Sequence, residues 1–302
     1  MIDIVIVNWN SGDLLSRCID AIFTKANEDL LVGVYIIDNN STDTSLQALP
    51  AHHKLHIIQN TVNAGFSKAC NQGFRLSTAP FVLLLNPDTV LMETTLADCI
   101  SCMQAQKEID ILGCQLLNDE GEITPTCARF PKPIRYVYHA LGLSTFAPKR
   151  FHPPTLMTDW NHKESRMVDQ VMGAFMFIRR EIFEKIGYFD ERFFVYYEEL
   201  DYSLRLKIAG GKSFYNSQIQ AIHSGMGTTE KVKAFRLFLS LRSRLQYAKK
   251  HFSLGGYIIV IVFSCVVEFI TRQVMLLTKG KFSECMNVFK AYGMLLQKRK
   301  LY

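Results

Sequence analysis

Short apolar runs alternate with helix-like segments in the N-terminal part of the chain. The runs cover residues 4–7, 34–37, 55–58 and 81–85, and each is short enough to be a strand buried on both faces. Residues 14–23, between the first two runs, repeat apolar positions at helical spacing. A polar turn follows every run. This alternation predicts βαβ units and therefore a parallel sheet flanked by helices.

Polar side chains cluster directly after each predicted strand. Asn8 and Asn10 follow the first, residues 38–43 the second, residues 63–65 the third and residues 86–88 the fourth. Asn and Asp are common turn formers, so one such turn carries little information. Ligands of parallel sheets, however, bind beyond the carboxyl ends of the strands. The convergence of four polar turns on one edge therefore predicts a ligand site there.

A cluster of carboxylates follows the aromatic run 193–197. Glu198, Glu199 and Asp201 come within four positions, with Arg205 one helical turn later. Neighbouring residues of a helix diverge by about 100°, so a helix starting here would send one carboxylate into a cleft. The others would lie near its positive N-terminal end. The alternative is a helix N-terminus that merely carries acidic residues.

Residues 129–168 interrupt the strand and helix rhythm. Prolines occur there among aromatic and basic residues, at Pro131, Pro133, Pro148, Pro153 and Pro154. The composition predicts a long loop or small excursion on the acceptor side of the site.

The C-terminal part of the chain is basic and apolar. From residue 230 onward it carries fourteen Lys and Arg against three Glu, although the whole chain is only +6. Residues 252–267 contain no charge, but this stretch is shorter than the roughly 20 residues of a spanning helix, and Glu268 and Arg272 interrupt its continuation. It predicts a monotopic or tilted membrane element; a buried core helix is the alternative. Basic residues before it would face lipid headgroups, namely Lys231, Lys233, Arg236, Arg242, Arg244, Lys249 and Lys250.

Other sequence features exclude several classes of protein. Cys99 and Cys102 fall within a helical pattern, and no other cysteine or histidine has zinc spacing, so we expect reduced cytosolic thiols. No basic segment precedes the first strand, so no signal peptide is expected. Residues 210–213 resemble the end of a P-loop, but Leu206 stands where its first glycine is required. The basic tail lacks interleaved stacking aromatics, which argues against nucleic acid as a partner.

The order of these motifs resembles glycosyltransferase family 2, the inverting nucleotide-sugar transferases of GT-A fold, and among them the bacterial rhamnosyltransferase-like enzymes. The motifs are Val7-Asn8-Trp9-Asn10, 37–43, 63–66 with Asn71, Asn86-Pro87-Asp88, 173–176, 187–191, 198–205 and Ile222-His223. The resemblance covers about residues 1–227. It implies an α/β, Rossmann-like mixed sheet flanked by helices, and residues 228–302 would then be a helical membrane-associating extension.

The resemblance implies a nucleotide site and a metal site. Asp38 would bind the base and ribose, and Asp88 matches the metal-binding aspartate of the family's D-x-D motif, in which Asn86 replaces the first aspartate. The implied nucleotide-binding residues are Val7, Asn8, Asn10, Asp38, Asn40, Asn63, Gly65, Asn86 and Asp88. His223 would be a further ligand of Mg²⁺ or Mn²⁺, although a lone histidine is equally compatible with a structural role.

The resemblance also implies the catalytic residues and the reaction. Glu198 and Glu199 stand at the family's Glu-Asp pair, which makes Glu199 the expected base, with Asp201 in the same acidic set. Gly173, Ala174 and Arg205 would be acceptor-side or structural. The implied enzyme moves a sugar, with rhamnose as the candidate, from a dTDP- or UDP-sugar to a lipid-linked or polysaccharide hydroxyl, at the cytoplasmic face of a bacterial inner membrane. A non-catalytic GT-A-like scaffold subunit is the alternative from another class.

Overall fold

The structure is a computed structural model that describes residues 1–225 and 233–297. The chain forms two compact units. The first comprises Met1–Ala128, Asn161–Glu191 and the described residues from 198 to 225. The second comprises Arg129–Trp160, Arg192–Tyr197 and residues 233–297. The boundary expected between residues 227 and 228 lies outside the described residues, and the domain division made from the sequence stays a prediction.

Strands and helices alternate along the chain. The strands are β1 Ile2–Asn8, β2 Leu31–Asp38, β3 Leu55–Gln59, β4 Phe81–Leu85, β5 Thr89–Leu91, β6 Ile111–Leu117, β7 Ile123–Thr124, β8 Cys127–Ala128, β9 Arg166–Val168, β10 Gln170–Val171, β11 Phe175–Arg179 and β12 Ser213–His223. The helices are α1 Asp13–Ile22, α2 Phe66–Leu76, α3 Thr95–Ala105, α4 Pro133–Ala140, α5 Leu143–Phe146, α6 Ile182–Ile186, α7 Glu198–Ile208, α8 Lys233–His251, α9 Leu254–Val262, α10 Glu268–Thr278 and α11 Phe282–Leu296. A π-helical turn, Phe263–Val267, joins α9 to α10.

The first unit is built on a mixed sheet with the strand order β3-β2-β1-β4-β11-β6-β12-β5. Strands β3, β2, β1 and β4 pair in parallel, as the four apolar runs predict. The expectation that all four are buried is wrong for β3, which lies at the edge of the sheet and has Ile57 43% exposed. Strand β11 then runs antiparallel between β4 and β6, and β12 runs parallel to β6. The predicted α/β class is confirmed, with a parallel half and a mixed half.

Helix packing on the parallel half follows from the sequence spacing. Every residue of β1 is buried, and α1 turns Leu15, Cys18, Ile19 and Ile22 into the same core. Helix α2 approaches β1 closely at Gly73. A Cβ atom there would lie 2.3 Å from a methyl carbon of Val5, so only glycine permits this packing distance.

The second unit is helical, and its N-terminal part corrects one expectation. Of the two alternatives for residues 129–168, the long loop is wrong, because α4 and α5 lie within them. A small excursion from the first unit fits better, because Arg129–Trp160 belong to the second unit. Pro133 occupies the first turn of α4, where proline is favoured because the missing N–H would have no intrahelical partner anyway. Tyr136 of α4 is then fully buried against Val260 and Ala248 of the same unit.

One further expectation about the C-terminal part is wrong. Arg244 does not face lipid headgroups, because it is buried and bonds the carboxylate of Glu268. Glu268 and Arg272 interrupt the charge-free stretch, as the sequence shows, but the helix continues through them, and Arg272 bonds Glu268 at 2.7 Å. The helix runs over Leu254–Thr278, and it is the one helix among the described residues that is long and apolar enough to cross a membrane.

Candidate active site

Asn8 and Asp38 lie opposite each other at the carboxyl ends of β1 and β2, as predicted. Both side chains are buried, and Asn8 Nδ2 donates to Asp38 Oδ1 at 2.7 Å. The same amide nitrogen lies 2.9 Å from Ser45 Oγ, and the Ser41 N–H donates to Asp38 Oδ2 at 3.1 Å. Asn8 thus fixes the Asp38 carboxylate and the loop after β2. Val7, the preceding residue, is buried opposite Ile37 in the sheet.

The two loops at this edge are tied to each other. The Thr42 N–H donates to Asn10 Oδ1 at 2.7 Å, and the Asn10 N–H donates to Ser41 Oγ at 2.9 Å. Asn10 and Asn40 both have left-handed backbone, with φ of 53° and 63°. Asparagine tolerates that conformation better than most residues, which explains its use at both positions.

Asn39 is the residue at this edge that the sequence does not single out. It is buried, its Nδ2 donates to Gly65 O at 3.1 Å, and its Oδ1 accepts from Asn60 Nδ2 at 3.0 Å. It therefore holds the loop after β3 beside the loop after β2. Within that loop the Gly65 N–H donates to Asn63 Oδ1 at 3.0 Å, and Gly65 has φ of 87°. Both were predicted, and they shape the start of α2.

Asp88 and His223 come together although they are distant in sequence. Strand β5 pairs antiparallel with β12 and places His223 opposite Thr89. Asp88 Oδ1 lies 3.2 Å from His223 Nε2. Both atoms are buried, and neither makes a hydrogen bond among the described residues. A buried carboxylate oxygen and a buried ring nitrogen that face each other, with no hydrogen bond among the described residues, are a donor set that a bound cation would satisfy.

The Asp88–His223 pair fits a divalent cation. In an octahedral Mg²⁺ site with ligands at about 2.1 Å, adjacent ligand atoms lie roughly 3 Å apart, which is close to the observed separation. A carboxylate oxygen is a preferred ligand of Mg²⁺ and Mn²⁺.

Asn86 lies two residues before Asp88 and is anchored through its main chain, because its N–H donates to Ala174 O at 3.0 Å.

Glu199 lies at the same edge of the sheet. Phe175 pairs with Leu85 at the end of β4, so Gly173 and Ala174 adjoin the Asn86–Asp88 turn. The Gly173 N–H bonds the carboxylate of Glu199, whose Oε1 would lie 3.7 Å from a Cβ built on Gly173. The four residues at this edge, Asn86, Ala174, Gly173 and Glu199, thus form one connected chain of contacts.

The Glu199 carboxylate is placed to accept a proton. Its Oε2 is buried and has no hydrogen-bond partner among the residues that the structure describes. Burial raises the pKa of Glu199, and the main-chain hydrogen bonds from Glu199 itself and from Gly173 offset this only in part. A carboxylate with a raised pKa is a stronger base than an exposed one, and the unpaired oxygen leaves room for a hydroxyl proton.

The other two carboxylates of the cluster are also buried, and Asp201 differs from Glu199 in being held by an arginine. Glu198 is buried at the start of α7, and Asp201 is fully buried and bonds Arg205 Nε at 2.9 Å. Arg205 also donates to the carbonyl oxygens of Ile186 and Tyr188. Asp201 and Arg205 therefore tie α7 to the segment after α6. This geometry is typical of a structural ion pair. It argues against a catalytic role for Asp201.

The raised pKa of Glu199 gives a stability prediction. An ionised buried carboxylate opposes folding, so its protonated form is favoured in the folded state, and stability falls as pH rises through the raised pKa. Glu199→Gln should therefore melt at a higher temperature than the unmodified protein at pH 7.5. At pH 4 the difference should shrink, because the glutamate is then protonated in both states. Thermal unfolding at both pH values checks this, and an equal or lower melting temperature at pH 7.5 would contradict it.

Solved structures share this architecture. The mannosyltransferase PcManGT from Pyrobaculum calidifontis, solved in complex with GDP-Man and Mn²⁺, superposes with a TM-score of 0.55 at 12% sequence identity, covering 99% of this chain and 88% of that chain. At this identity the likeness shows the fold, which is the GT-A fold of glycosyltransferases.

The chain belongs to glycosyltransferase family 2. The family model, Glycosyl transferase family 2, matches residues 3–187. The low-salt glycan biosynthesis hexosyltransferase Agl10 of Haloferax volcanii is 26% identical over 257 residues, which are 83% of this chain and 76% of that protein. The N-acetylglucosaminyl-diphospho-decaprenol L-rhamnosyltransferase of Mycobacterium tuberculosis is 24% identical over 249 residues, 78% of this chain and 80% of that protein. The protein is thus a glycosyltransferase, as the motifs predict.

Proposed function

We propose that this glycosyltransferase moves a sugar, with rhamnose as the first candidate, from a dTDP- or UDP-sugar to a hydroxyl of a lipid-linked or polysaccharide acceptor, with inversion at the anomeric carbon. The observation that carries the proposal is the single edge on which the buried Asp38, the Asp88–His223 pair and the unpaired Glu199 oxygen lie. Rhamnose and the lipid diphosphate acceptor are suggested by the name of the mycobacterial relative.

The donor would be held by the first two loops and by the Asp88 turn. Asp38, fixed by Asn8 and by the Ser41 N–H, presents a carboxylate to the nucleoside. Asp88 and His223 would hold a divalent cation, which offsets the negative charge of the diphosphate as it leaves. Asn86 adds no charge, so Asp88 is the single carboxylate of its motif. A cation-dependent donor site is the arrangement that these residues support.

Glu199 would act on the acceptor. A sugar hydroxyl is a weak nucleophile, and a carboxylate within hydrogen-bond reach accepts its proton as the new glycosidic bond forms. The hydroxyl oxygen attacks the anomeric carbon from the face opposite the leaving diphosphate, so the configuration inverts in one step. The Gly173 N–H holds one Glu199 oxygen, which leaves the other for the proton.

The role of Asp88 can be tested by donor binding. Asp88→Asn keeps the size of the side chain and removes its charge, so nucleoside diphosphate should bind more weakly by roughly tenfold or more when Mn²⁺ is present. The unmodified protein should lose a similar amount when EDTA is added, whereas the variant should respond little. Isothermal titration calorimetry with dTDP and UDP measures both effects. Equal affinity with and without EDTA in the unmodified protein would refute a cation-assisted donor site.

The transfer reaction itself is tested with a panel of dTDP- and UDP-sugars. Stabilisation of the protein against heat in the presence of Mg²⁺ or Mn²⁺ would identify the donor, because a ligand of the folded state raises the melting temperature. Incubation of the identified donor with a prenyl diphosphate-linked sugar should then yield a disaccharide. Nuclear magnetic resonance of that product reports the anomeric configuration, and retention of the donor configuration would contradict the single displacement.

We also propose that transfer takes place at the cytoplasmic face of a bacterial inner membrane, with the protein bound peripherally or monotopically. A lipid-linked acceptor is confined to a bilayer, so an enzyme that uses it gains from residing there. The observation that favours this location is the apolar helix Leu254–Thr278. The residues from 228 onward are, on this proposal, the membrane-associating part of the chain.

A further inference from the structure

The helix Leu254–Thr278 exposes one row of large apolar side chains. The row consists of Leu254, Ile258, Val262, Val266, Ile270 and Val274, each between 43% and 74% exposed. Successive members are four residues apart. Exposed apolar side chains are ordinary when they are scattered, but a contiguous row along a whole helix marks an interaction surface.

The π-helical turn keeps this row on one side. In a straight α-helix a step of four residues overshoots one turn by about 40°, so Leu254 and Val274 would lie about 200° apart. The π turn over Phe263–Val267 accommodates one extra residue. This reduces the angle between the two ends of the row by about 100°. The row therefore follows one face of the helix, where otherwise it would wind to the opposite face.

The opposite side of the same helix packs on its own unit and carries the polar groups. Ser264 and Glu268 are buried, and both bond Arg244 of α8. Thr271 Oγ1 donates to Ala140 O of α4 at 2.8 Å, and Gln273 Nε2 donates to Cys285 O of α11 at 3.2 Å. The helix is thus bound to α4, α8 and α11 along its length. Of the two charged side chains on this helix, Glu268 is buried, and Arg272, which is 37% exposed, is paired with it.

Basic side chains lie beyond the C-terminal end of the row. Lys279 and Lys281 are exposed directly after it, and Lys290 is exposed on α11. Helix α11 packs beside α10 through the ring contacts of Phe269 with Phe289 and Tyr292. It adds its own exposed apolar side chains, Phe282, Met286 and Phe289, which are 53–69% exposed. Apolar residues between lysines match the acyl and headgroup layers of an anionic bilayer surface.

We propose that the apolar row docks the protein on a bilayer containing anionic lipid, with the helix in the plane of the interface. The inference builds on the proposed use of a lipid-linked acceptor but stands on the second unit alone. A helix in this orientation immerses only the apolar row by about 5–10 Å. A spanning orientation would instead carry Arg244, Glu268 and Arg272, with the helices that hold them, to the depth of the hydrocarbon, where charged groups are costly.

Vesicle flotation tests the surface. The full chain should bind vesicles of phosphatidylcholine with phosphatidylglycerol, and Val266→Glu/Ile270→Glu should reduce the partition coefficient by at least about tenfold. The matched control is Ile57→Glu/Ile208→Glu, which places the same charges on exposed isoleucines of the first unit and should bind normally. Thermal unfolding of both variants shows that they fold. Equal binding by the row variant and the control, or no binding by the unmodified chain, would overturn the proposal.

Depth measurements separate the two orientations. Cysteine with an attached fluorophore is placed at Ile258, Val266 or Val274 and quenched by lipids labelled at known depths. In the plane of the interface all three positions should be equally shallow. In a spanning helix, Val266 would lie about 12 Å from the other two along the axis and be the deepest, which would overturn the proposal.

Two other outcomes are informative as well. A dimer of the unmodified chain that is abolished by Val266→Glu/Ile270→Glu, with no vesicle binding, would assign the row to a second copy and overturn membrane docking. Vesicle binding requires no sugar nucleotide, so its failure would leave the proposed transfer reaction untouched. Conversely, failure of sugar transfer with intact vesicle binding would refute the proposed reaction and leave the docking surface standing.

Discussion

Replacing Glu199 by Gln is expected to lower turnover by roughly 10²–10⁴ while the affinity for the sugar nucleotide changes little. The substitution keeps the shape and the Gly173 hydrogen bond at one end of the side chain but removes the ability to accept a proton. Because burial raises the pKa of Glu199, the rate of the unmodified enzyme should also rise with pH on its acid side, at a pH above the ordinary glutamate range.

The matched controls are two other glutamates. Glu184→Gln makes the same change at an exposed position of α6 and should leave turnover unchanged. Glu198→Gln makes the same change at the preceding residue, whose side chain leaves the helix in a direction about 100° from that of Glu199. Steady-state kinetics and donor calorimetry on the three variants decide the assignment. Full activity of Glu199→Gln together with an inactive Glu198→Gln would show that the base has been placed on the wrong carboxylate.

Replacing Glu268 by Gln is expected to destabilise the second unit by about 3–5 kcal/mol. Glu268 is 2% exposed, and it bonds Arg244, which is itself buried, as well as Arg272. The positive charges of these arginines hold the pKa of Glu268 well below its ordinary value. Neutralising Glu268 leaves the Arg244 guanidinium buried without a counter-charge. An uncompensated buried charge is the main reason why removing one partner of a buried ion pair destabilises a protein.

The control for this prediction is a surface pair in the same unit. Glu284 lies 3.6 Å from Lys233, and their side chains are 37% and 62% exposed, so Glu284→Gln should cost no more than about 1 kcal/mol. The pH dependence gives an independent check. A carboxyl with a lowered pKa contributes stability above its ordinary pKa and loses it as pH falls, so the penalty of Glu268→Gln should shrink in acid. Urea unfolding of both variants measures this, and equal penalties at neutral pH would contradict the account.

The parallel half of the sheet was predictable because its signals are local. Four short apolar runs bounded by Asn and Asp turns leave few alternatives to buried parallel strands, and β1 to β4 appear where the runs lie. The carboxyl ends of such strands converge by topology, so the placement of Asn8 and Asp38 at one edge followed directly. The sequence did not indicate Asn39. Four adjacent Asn, Ser and Asp residues stand in this loop, and a run of polar residues has no hydrophobic periodicity that would show which side chain is buried.

The rest depended on long-range pairing. His223 reaches Asp88 only because β12 pairs antiparallel with β5, and nothing near either residue encodes that pairing. Arg244 was expected at the lipid headgroups because its partner Glu268 lies more than twenty residues later in the chain. The five prolines of 129–168 suggested a loop, although Pro133 begins a helix. In each case the deciding contact is tertiary and has no local signature.

Release of nucleoside diphosphate from the matching sugar nucleotide decides whether the protein transfers a sugar with Glu199 as the base. With Mn²⁺ and an acceptor present, the unmodified protein should release it together with an extended glycan, and Glu199→Gln should bind the donor normally but release it at least about a hundredfold more slowly. Donor binding without any acceptor-dependent release, in the unmodified protein and across the full donor panel, would contradict the claim and favour a scaffold that binds sugar nucleotides without turning them over.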